Sequence, residues 1–266
     1  MNYLISYWDI VAARIREAEH ILLLIDYDGT LTPIVKRPEL APLSPGVKER
    51  LRELAGNPRL TLAIISGRAL GDLQERVGVK DITYVGNHGL EIEGPGVNFV
   101  NPAARQAVPL MYSLWQDIDK AITGINGARI DDKGLTLSLH YRLVDEAQLD
   151  KLNYIFNEIV KTPLATGQIK ITPSKKAYDI RPAVDWDKGK AIEFIAQKIT
   201  GDVKPLMLFL GDDITDYDGF RIVDKNGGIS IFVGAPSSKA LAQYFLHSPR
   251  DVYQFLEMLR EVLSVQ

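Results

Sequence analysis

The chain has 266 residues, of which 46% are hydrophobic and 24% charged, as is typical of a globular protein with one large or two modest domains. It has no cysteine, which excludes disulfide frameworks, thiolate zinc sites and cysteine nucleophiles. The formal net charge is -3 without a Lys/Arg block, so we expect no nucleic-acid partner. We recognise neither a signal-peptide pattern nor an apolar run of membrane length, and expect a cytoplasmic protein without membrane association.

The first part of the chain alternates between helical patterns and short apolar runs. Residues 4–17 place apolar side chains at helical spacing and predict an amphipathic helix. Residues 20–25 are apolar almost throughout, which is typical of a strand buried on both faces in a parallel sheet. The same two patterns recur, and predict helices at 46–55 and 69–77 and strands at 60–66 and 82–86.

The middle of the chain has a different pattern. Alternating polar and apolar residues at 128–143 predict a half-buried strand, with a hairpin turn at Lys133-Gly134. Further elements predicted here are helices at 103–123 and 145–160 and a strand pair at 168–174 and 176–182. Together they indicate an antiparallel α+β unit, which the chain enters and leaves between two strands of the parallel sheet.

The last part returns to the first pattern, with predicted helices at 188–199 and 249–263 and strands at 206–211 and 228–234. Alternating strands and helices indicate an open α/β sheet with helices on both faces. We therefore expect two domains. Residues 1–103 and 175–266 would form the larger domain, and residues 104–174 the smaller, inserted one.

Polar residues follow the predicted strands at their carboxyl ends, the edge at which open α/β sheets bind ligands. They are Asp26, Asp28 and Thr30 after the first strand, Ser66-Gly67-Arg68 after the second, Asn87-His88-Gly89 after the third, and Gly211-Asp212-Asp213 with Asp216 after the fourth; Lys188 begins the helix before that strand. One edge of the sheet thus collects carboxylates, a hydroxyl, a lysine and glycines.

These residue types suit phosphoryl transfer. A carboxylate can accept a phosphoryl group and divide a difficult hydrolysis into two steps. A second carboxylate can protonate the leaving oxygen and then activate water. Carboxylates that converge on an anionic phosphate need a divalent cation, and Mg²⁺ prefers such oxygen ligands. A hydroxyl, backbone N–H groups and a lysine can hold the remaining phosphoryl oxygens.

Four motifs carry a family resemblance: "DYDGTL" (26–31), "ISGR" (65–68), "DKGKA" (187–191) and "GDDITD" (211–216) resemble, in order, the motifs of the haloacid dehalogenase-like phosphatases. The inserted segment stands where that superfamily inserts a type-two cap. The resemblance therefore implies a Rossmann-like parallel-sheet core with an inserted α+β type-two cap domain.

Further segments are similar to one branch, the trehalose-6-phosphate phosphatases. They are "DYDGTLTPI" (26–34), "HYR" (140–142), "KKAYDIRP" (175–182) and "GDDITDYDGF" (211–220). The sequence departs from that branch at Asn87 and Asp179, where the branch has glutamate. The resemblance ties the position of Asp179 to sugar hydroxyls, and aspartate is one methylene shorter, so the sequence leaves the sugar open.

The resemblance implies a Mg²⁺-dependent phosphoric monoester hydrolase. Asp26 would be the nucleophile and Asp28 the general acid and base, while Ser66 and Lys188 would hold the phosphoryl group. The predicted metal ligands are Asp26, the backbone carbonyl of Asp28 and Asp212, with Asp213 or Asp216 as a further ligand or an orienting residue. The predicted substrate contacts are Thr30, Gly67, Arg68, His88, Gly89, Arg142, Lys175 and Asp179.

The expected substrate is trehalose 6-phosphate, which would give trehalose and phosphate. Alternatives are a phosphatase for another sugar phosphate, such as sucrose 6-phosphate or a glucosyl- or mannosyl-glycerate phosphate, and a phosphomutase. A non-catalytic sugar-phosphate sensor that regulates a synthase is a third, although such a sensor need not keep a proton-transferring Asp28. We expect a monomer, with a trehalose-phosphate synthase as a candidate partner.

Overall fold

The computed structural model describes residues 1–34, 43–174, 176–199, 203–236 and 241–264. The chain divides into two compact units. The larger unit combines Met1–Phe99 with Trp186–Gln266, and the smaller unit is the continuous segment Val100–Asp185. Each unit has its own sheet and its own buried apolar core.

Thirteen strands occur in the described residues: β1 (Asn2–Tyr3), β2 (Ile21–Asp26), β3 (Leu60–Ile65), β4 (Thr83–Gly86), β5 (Glu91–Gly94), β6 (Val97–Val100), β7 (Arg129–Asp132), β8 (Leu137–His140), β9 (Ile169–Ser174), β10 (Ala177–Pro182), β11 (Leu206–Gly211), β12 (Ile229–Val233) and β13 (Tyr244–Leu246). The α-helices of the same part of the chain are α1 (Trp8–Glu17), α2 (Pro45–Ala55), α3 (Leu70–Val77), α4 (Pro102–Gln106), α5 (Val108–Ile122), α6 (Glu146–Ala165), α7 (Lys188–Ile199), α8 (Tyr217–Lys225) and α9 (Pro249–Ser264). Short 3-10 helices span Leu4–Tyr7, Asn87–Gly89 and Ile214–Asp216.

The larger sheet has the strand order β1-β13-β12-β11-β2-β3-β4-β5-β6. Strands β11, β2, β3 and β4 are consecutive parallel neighbours, and β5 pairs with β4 in the antiparallel direction. The predicted strand at 20–25 is therefore central, with β11 on one side and β3 on the other. The order reverses at this point, because the chain moves outward in one direction from β2 to β4 and returns on the other side with β11.

Strand β2 shows why the sheet is covered on both faces. Its residues are all buried, which is the pattern of a strand in a parallel sheet with helices on each side. Ile21, Leu23 and Ile25 belong to the core cluster that includes side chains of α1, α2, α3 and α9. Leu22 and Leu24 belong to the cluster that includes side chains of α7 and α8. The prediction of helices on both faces is confirmed.

The smaller unit contains an antiparallel sheet with the order β7-β8-β10-β9. The apolar side chains of this sheet, among them Leu137, Leu139 and Ile180, share one buried cluster with residues of α5 and α6. The intervening residues of the same strands are polar, as at Ser138 and Asp179. The sheet therefore has one face against its own helices and one polar face.

The structure differs from the sequence prediction at two places in this unit. The predicted boundary at residue 174 separates β9 from β10, yet β10 lies between β8 and β9 and pairs with both, so the unit extends to Asp185. The single helix predicted at 103–123 is two helices, α4 and α5. Pro109 explains the break, because proline has no N–H for the hydrogen bond that would continue α4 into α5.

None of the helices in the part of the chain that the structure describes combines the length and the apolar character needed to cross a membrane.

Candidate active site

The carboxyl ends of four adjacent parallel strands bring the predicted site residues to one edge of the larger sheet. Asp26 is the last residue of β2, and Ser66 follows β3 directly. The Asn87–Gly89 turn follows β4, and Asp212 follows β11. Because β11, β2, β3 and β4 run in the same direction side by side, the residues after them converge.

Lys188 joins two of the aspartates. Its Nζ donates to Asp26 Oδ1 at 2.7 Å and to Asp216 Oδ1 at 2.6 Å. All three residues are buried, with exposed fractions of 4% for Lys188, 5% for Asp26 and 0% for Asp216. Buried charges need partners, and this arrangement supplies them. The ammonium group thus holds the carboxylate at the end of β2 in one orientation.

The charges of this cluster shift the pKa values of its members. Burial raises the pKa of Asp26, and the negative charges of Asp216 and Asp212 raise it further, against the opposing effect of Lys188. Burial lowers the pKa of Lys188, but the carboxylates of Asp216 and Asp26 outweigh burial and raise it above its usual value. Lys188 is therefore protonated throughout the physiological pH range.

A compact turn after β11 orients further carboxylates. The two backbone N–H groups of Asp212 and Asp213 both donate to Asp216 Oδ2, each at 3.0 Å. The Asp213 carboxylate accepts from the N–H of Ile214 at 2.6 Å and caps the short helix Ile214–Asp216. Asp26, Asp212 and Asp216 each offer an oxygen within 4.8 Å of the other two, and Asp213 lies outside that group in the described residues.

Gly29 allows the loop after β2 to approach this turn. Its φ is +96°, a backbone conformation that residues other than glycine rarely adopt, and a Cβ there would overlap the carboxylate of Asp212. The loop after β2 and the turn after β11 are therefore in direct contact at a position that only glycine can occupy.

Asp28 has a different environment from Asp26. Its side chain is 42% exposed, and Arg68 binds it through two nitrogens, with Nε at 2.7 Å from Oδ2 and Nη2 at 2.5 Å from Oδ1. Arg68 Nη1 also donates to Asp72 Oδ2 at 2.9 Å. Asp72 in turn accepts from Arg76 Nε, at 2.9 Å on Oδ1 and 2.8 Å on Oδ2. We name these four residues the Asp28–Arg76 ladder.

The loops after β3 and β4 are hydrogen-bonded to one another. The N–H of Asn87 donates to the carbonyl of Arg68 at 2.7 Å, and the N–H of His88 donates to the carbonyl of Ser66 at 3.0 Å. A Cβ at Gly67 would lie 2.5 Å from His88 Cε1, so the glycine leaves room for the imidazole. Three predicted residues, Ser66, Gly67 and His88, thus lie together at the sheet edge.

Two other predicted residues of the larger unit are also buried. Thr30 is fully buried, and its hydroxyl has no hydrogen-bond partner among the residues that the structure describes. The carbonyl of Gly89 accepts from Trp186 Nε1 at 2.7 Å, and a Cβ at Gly89 would lie 2.7 Å from Ala191 Cβ. The contacts of Gly89 explain why a glycine stands there.

The predicted sugar contacts belong to the smaller unit. Asp179 stands in β10, opposite Ser138 in β8 and Thr172 in β9, and accepts a hydrogen bond from the Ser138 hydroxyl. Lys133 Nζ lies 3.8 Å from Asp179 Oδ1. Arg142 is half-buried just after β8. Lys175, the remaining predicted contact, lies outside the described residues.

Sequence reasoning missed Asp72 and Arg76 as neighbours of the site. Their spacing was a readable signal, since Arg68, Asp72 and Arg76 follow one another at four-residue intervals, the spacing at which oppositely charged side chains meet along a helix. The link from Arg68 to Asp28 could not be read in the same way, because those two residues are far apart in the chain.

Comparison with known proteins identifies the family. A family model described as trehalose-phosphatase matches residues 24–250. A relative named probable trehalose-phosphate phosphatase 4, from Oryza sativa subsp. japonica, is 34% identical over an alignment that covers 97% of this chain and 70% of the relative. Trehalose-phosphate phosphatase B from Arabidopsis thaliana is 33% identical, with coverages of 92% and 67%.

A solved structure supports the same assignment. The C-terminal domain of the C. albicans trehalose-6-phosphate phosphatase has a TM-score of 0.82 and 26% identity, and the superposition covers 95% of this chain and 96% of that one. Coverage of this extent includes strands of both sheets. The family model spans Asp26 at the end of β2, Asp28 in the following loop, Lys188 and the turn after β11. The chain therefore belongs to the trehalose-phosphatase family.

Proposed function

We propose that this protein hydrolyses trehalose 6-phosphate to trehalose and inorganic phosphate through an aspartyl phosphate on Asp26. The observation that carries the proposal is the buried Asp26 carboxylate, fixed by Lys188 at the end of the central strand, with a second, solvent-accessible carboxylate two residues later. The names of the relatives indicate which sugar phosphate is the substrate, and the geometry of the larger unit supports the proposed phosphoryl transfer.

The two steps divide the work between the two aspartates. In the first, an Asp26 oxygen attacks phosphorus, the bond between phosphorus and the sugar oxygen breaks with its electron pair on that oxygen, and the protonated Asp28 donates its proton to it. In the second, Asp28 takes a proton from water, the water oxygen attacks phosphorus, and the bond to Asp26 breaks. Phosphate leaves, Asp26 is again a carboxylate, and Asp28 again carries a proton.

The donor set fits Mg²⁺, because the oxygens of Asp26, Asp212 and Asp216 converge and hard cations prefer oxygen ligands. We assign Asp26, the Asp28 carbonyl and Asp212 as ligands. Both oxygens of Asp216 already accept hydrogen bonds, one from Lys188 and the other from the turn's backbone, so we assign it an orienting role. When bound, the cation would offset the negative charge that the phosphate and the carboxylates share.

Lys188 and Ser66 are the proposed phosphoryl contacts within the larger unit. The Lys188 ammonium already lies on the attacking carboxylate, so it can neutralise charge on both the nucleophile and the phosphoryl oxygens. The Ser66 hydroxyl accepts from the N–H of Arg68 at 3.2 Å, which leaves its own proton available for a phosphoryl oxygen. Gly67 and Gly89 allow the backbone to approach closely, and Gly67 leaves room for the His88 imidazole.

Sugar specificity is proposed to depend on the smaller unit, at Arg142, Lys175 and Asp179. Asp179 is already hydrogen-bonded to Ser138 on the polar face of the sheet, where it can accept from a sugar hydroxyl with its remaining capacity. Rates with trehalose 6-phosphate, sucrose 6-phosphate and a glucosylglycerate phosphate would rank the sugars. A trehalose-phosphate synthase, which would supply the substrate, remains a predicted partner.

Asp26→Asn tests the reaction. Replacement of the nucleophile should lower Mg²⁺-dependent phosphate release from trehalose 6-phosphate by about 10³-fold or more while the far-ultraviolet circular dichroism stays unchanged. Asp9→Asn, which makes the same change at an exposed position of α1, is the matched control and should retain the wild-type rate.

Three outcomes would contradict this proposal. Normal turnover by Asp26→Asn would eliminate the aspartyl phosphate. Transfer of the phosphoryl group to another hydroxyl group of the sugar, without phosphate release, would indicate a phosphomutase. Tight binding of trehalose 6-phosphate by the wild type without any hydrolysis in Mg²⁺ would indicate a sensor.

A further inference from the structure

We propose that Asp72 is a positioning residue for the proton transfer: through Arg68, it fixes the carboxyl group of Asp28 in the orientation from which its protonated form donates to the leaving sugar oxygen. The inference deepens the proposed function and rests on the role given there to Asp28. It assigns a task to α3, a helix that contributes no residue to the predicted catalytic set.

Arg68 holds Asp28 through a two-pronged contact. Two nitrogens of one planar guanidinium bind the two oxygens of one carboxylate, which fixes the carboxylate plane as well as its distance. This pair is the ionised form of Asp28; in the protonated form that donates, one oxygen carries the proton and the other can still accept from Arg68. The Arg68 side chain is only 11% exposed, whereas that of Asp28 is 42% exposed. The arginine is thus the anchored member of the pair, and the carboxylate is the one that faces solvent.

Asp72 and Tyr27 in turn anchor Arg68. This residue precedes α3 and lies outside the helical backbone, so the orientation of its long side chain depends on contacts at the far end. Asp72 takes the remaining Nη1 nitrogen, and the ring of Tyr27 lies against the guanidinium, with its centroid 5.3 Å from Cζ. The buried Tyr27 between the two aspartates thereby acquires a role that its sequence position did not reveal.

Helix α3 and Arg76 anchor Asp72. It stands in the first turn of α3, where a negative charge is stabilised by the helix dipole, and Arg76 binds it one turn later. Leu73 and Val77 pack the same helix into the core of the larger unit. The ladder therefore connects an exposed carboxylate at the sheet edge to a helix that packing holds in place.

A purely structural role for Asp72 and a direct phosphate contact by Arg68 would each give different behaviour. If Asp72 only stabilised α3, its removal would lower the unfolding temperature and affect all substrates equally. If Arg68 bound the substrate phosphate directly, its replacement would weaken the hydrolysis of every phosphate ester. Loss of a positioned proton donor differs from both, because it matters only when the leaving group needs a proton.

The experiment compares two phosphate esters in Mg²⁺. Trehalose 6-phosphate releases an alkoxide that needs a proton, whereas p-nitrophenyl phosphate releases a stable phenolate that does not. The ratio kcat/KM covers the steps up to departure of this first product, so it reports on proton donation to the leaving group and not on the later attack of water. Asp72→Asn should lower kcat/KM for trehalose 6-phosphate by about tenfold or more, a part of the ~10²–10⁴-fold that general acid catalysis contributes, and should lower that for p-nitrophenyl phosphate far less.

Two further variants support the assignment. Arg68→Lys keeps the charge but loses the two-pronged contact, and should show the same selective loss whether or not Asp72→Asn folds. Asp72→Glu keeps the carboxylate and should recover part of the selective loss. Glu75→Gln removes an exposed carboxylate from the same helix and is the matched control, for which both substrates should react at wild-type rates.

The outcomes separate this inference from the proposed function. Asp26→Asn should abolish hydrolysis of both esters, and Asp28→Asn should show the selective loss; failure of either would overturn the proposed function itself. If Asp28→Asn is selective but Asp72→Asn and Arg68→Lys lower the two values equally, or leave both unchanged, the ladder does not position the donor and the inference is wrong.

Discussion

At the scale of single residues, Lys188 has a structural duty in addition to its proposed contact with phosphate. Its ammonium is the charge partner of two buried carboxylates, Asp26 and Asp216. An ion pair in the interior adds little net stability when intact, but removal of one member leaves an uncompensated charge. Because two carboxylates depend on one lysine here, the cost of its loss should exceed that of an ordinary surface pair.

Lys188→Met should therefore lower the free energy of unfolding by about 3–5 kcal/mol, the range typical of a buried charge that loses its partner. Addition of Asp216→Asn to that variant should restore part of the loss, because one of the stranded charges is then removed. Urea denaturation of the single and double variants measures both effects. Lys198→Met, at an exposed position of α7, is the control, and equal stability of all variants would contradict the prediction.

The sequence is informative at this scale where a motif carries the residue. Asp26, Asp28, Ser66 and Lys188 were predicted from three short motifs, and the structure brings them to one edge of the sheet. The resemblance also implied different roles for the two aspartates, but not the environments that distinguish them. Burial beside Lys188 and exposure beside Arg68 depend on contacts between residues that are far apart in the chain, and a single sequence does not specify such contacts.

At the scale of secondary-structure elements, the hairpin of β7 and β8 has a polar pair on the face away from its helices. His140 Nε2 lies 2.9 Å from Asp131 Oδ2, and Arg129 Nε lies 3.1 Å from Asp131 Oδ1. Burial raises the pKa of Asp131, but the hydrogen bond from His140 and the charges of His140, Arg129 and Lys133 outweigh burial and lower it below its ordinary value. Asp131 thus stabilises the fold in its ionised form.

The sign of the pH dependence follows from that shift. A carboxyl group with a lowered pKa in the folded state contributes stability that is complete above its unfolded pKa of about 3.9 and is lost as the pH falls through the folded value. The difference in free energy of unfolding between the wild type and Asp131→Asn should therefore shrink as the pH falls from 6 toward 3. Denaturation curves across this range, with Asp150→Asn as the exposed control, test it; a constant difference would refute it.

Helices with a clear period and strands with a continuous apolar run were predictable from sequence, and other elements were not. The strands β2, β3, β4, β11 and β12 and the helices α2, α3, α7 and α9 lie within a residue or two of their predicted bounds. Helix α8 was not predicted, because it has only nine residues and contains Gly219, a poor helix former. Strands β1 and β13 have only two and three residues, and β5 and β6 have four residues without a continuous apolar run.

At the scale of the whole molecule, the smaller unit is one uninterrupted segment with its own core. A cluster of buried side chains that includes Met111, Leu152, Phe156 and Ile180 joins α5 and α6 to the sheet. Strand β10 is an interior strand of that sheet, since β8 and β9 both pair with it. The alternation in the sequence identified the strands but not their order, and the predicted boundary at residue 174 consequently excluded β10.

A fragment of residues 100–185 should fold on its own and unfold cooperatively, because its buried cluster and all its strand pairs are contained within it. A fragment of residues 104–174 should not, because it lacks β10, the strand that pairs with both β8 and β9; β8 would keep β7 as a partner, but β9 would be cut off from the sheet. Dispersed amide resonances and a sigmoidal urea transition for the first fragment alone would fit this expectation. A second fragment as stable as the first would show that β10 is dispensable.

The discontinuity of the larger unit has a consequence for protein synthesis. Strand β2 lies at the centre of its sheet, but its neighbour β11 emerges from the ribosome about 180 residues later, so one edge of β2 stays unpaired while the insert is made. The insert, by contrast, has all its strands as soon as β10 has emerged. We expect the smaller unit to complete its fold first, and the nascent half-sheet to be the stage of synthesis most exposed to aggregation and most dependent on chaperones.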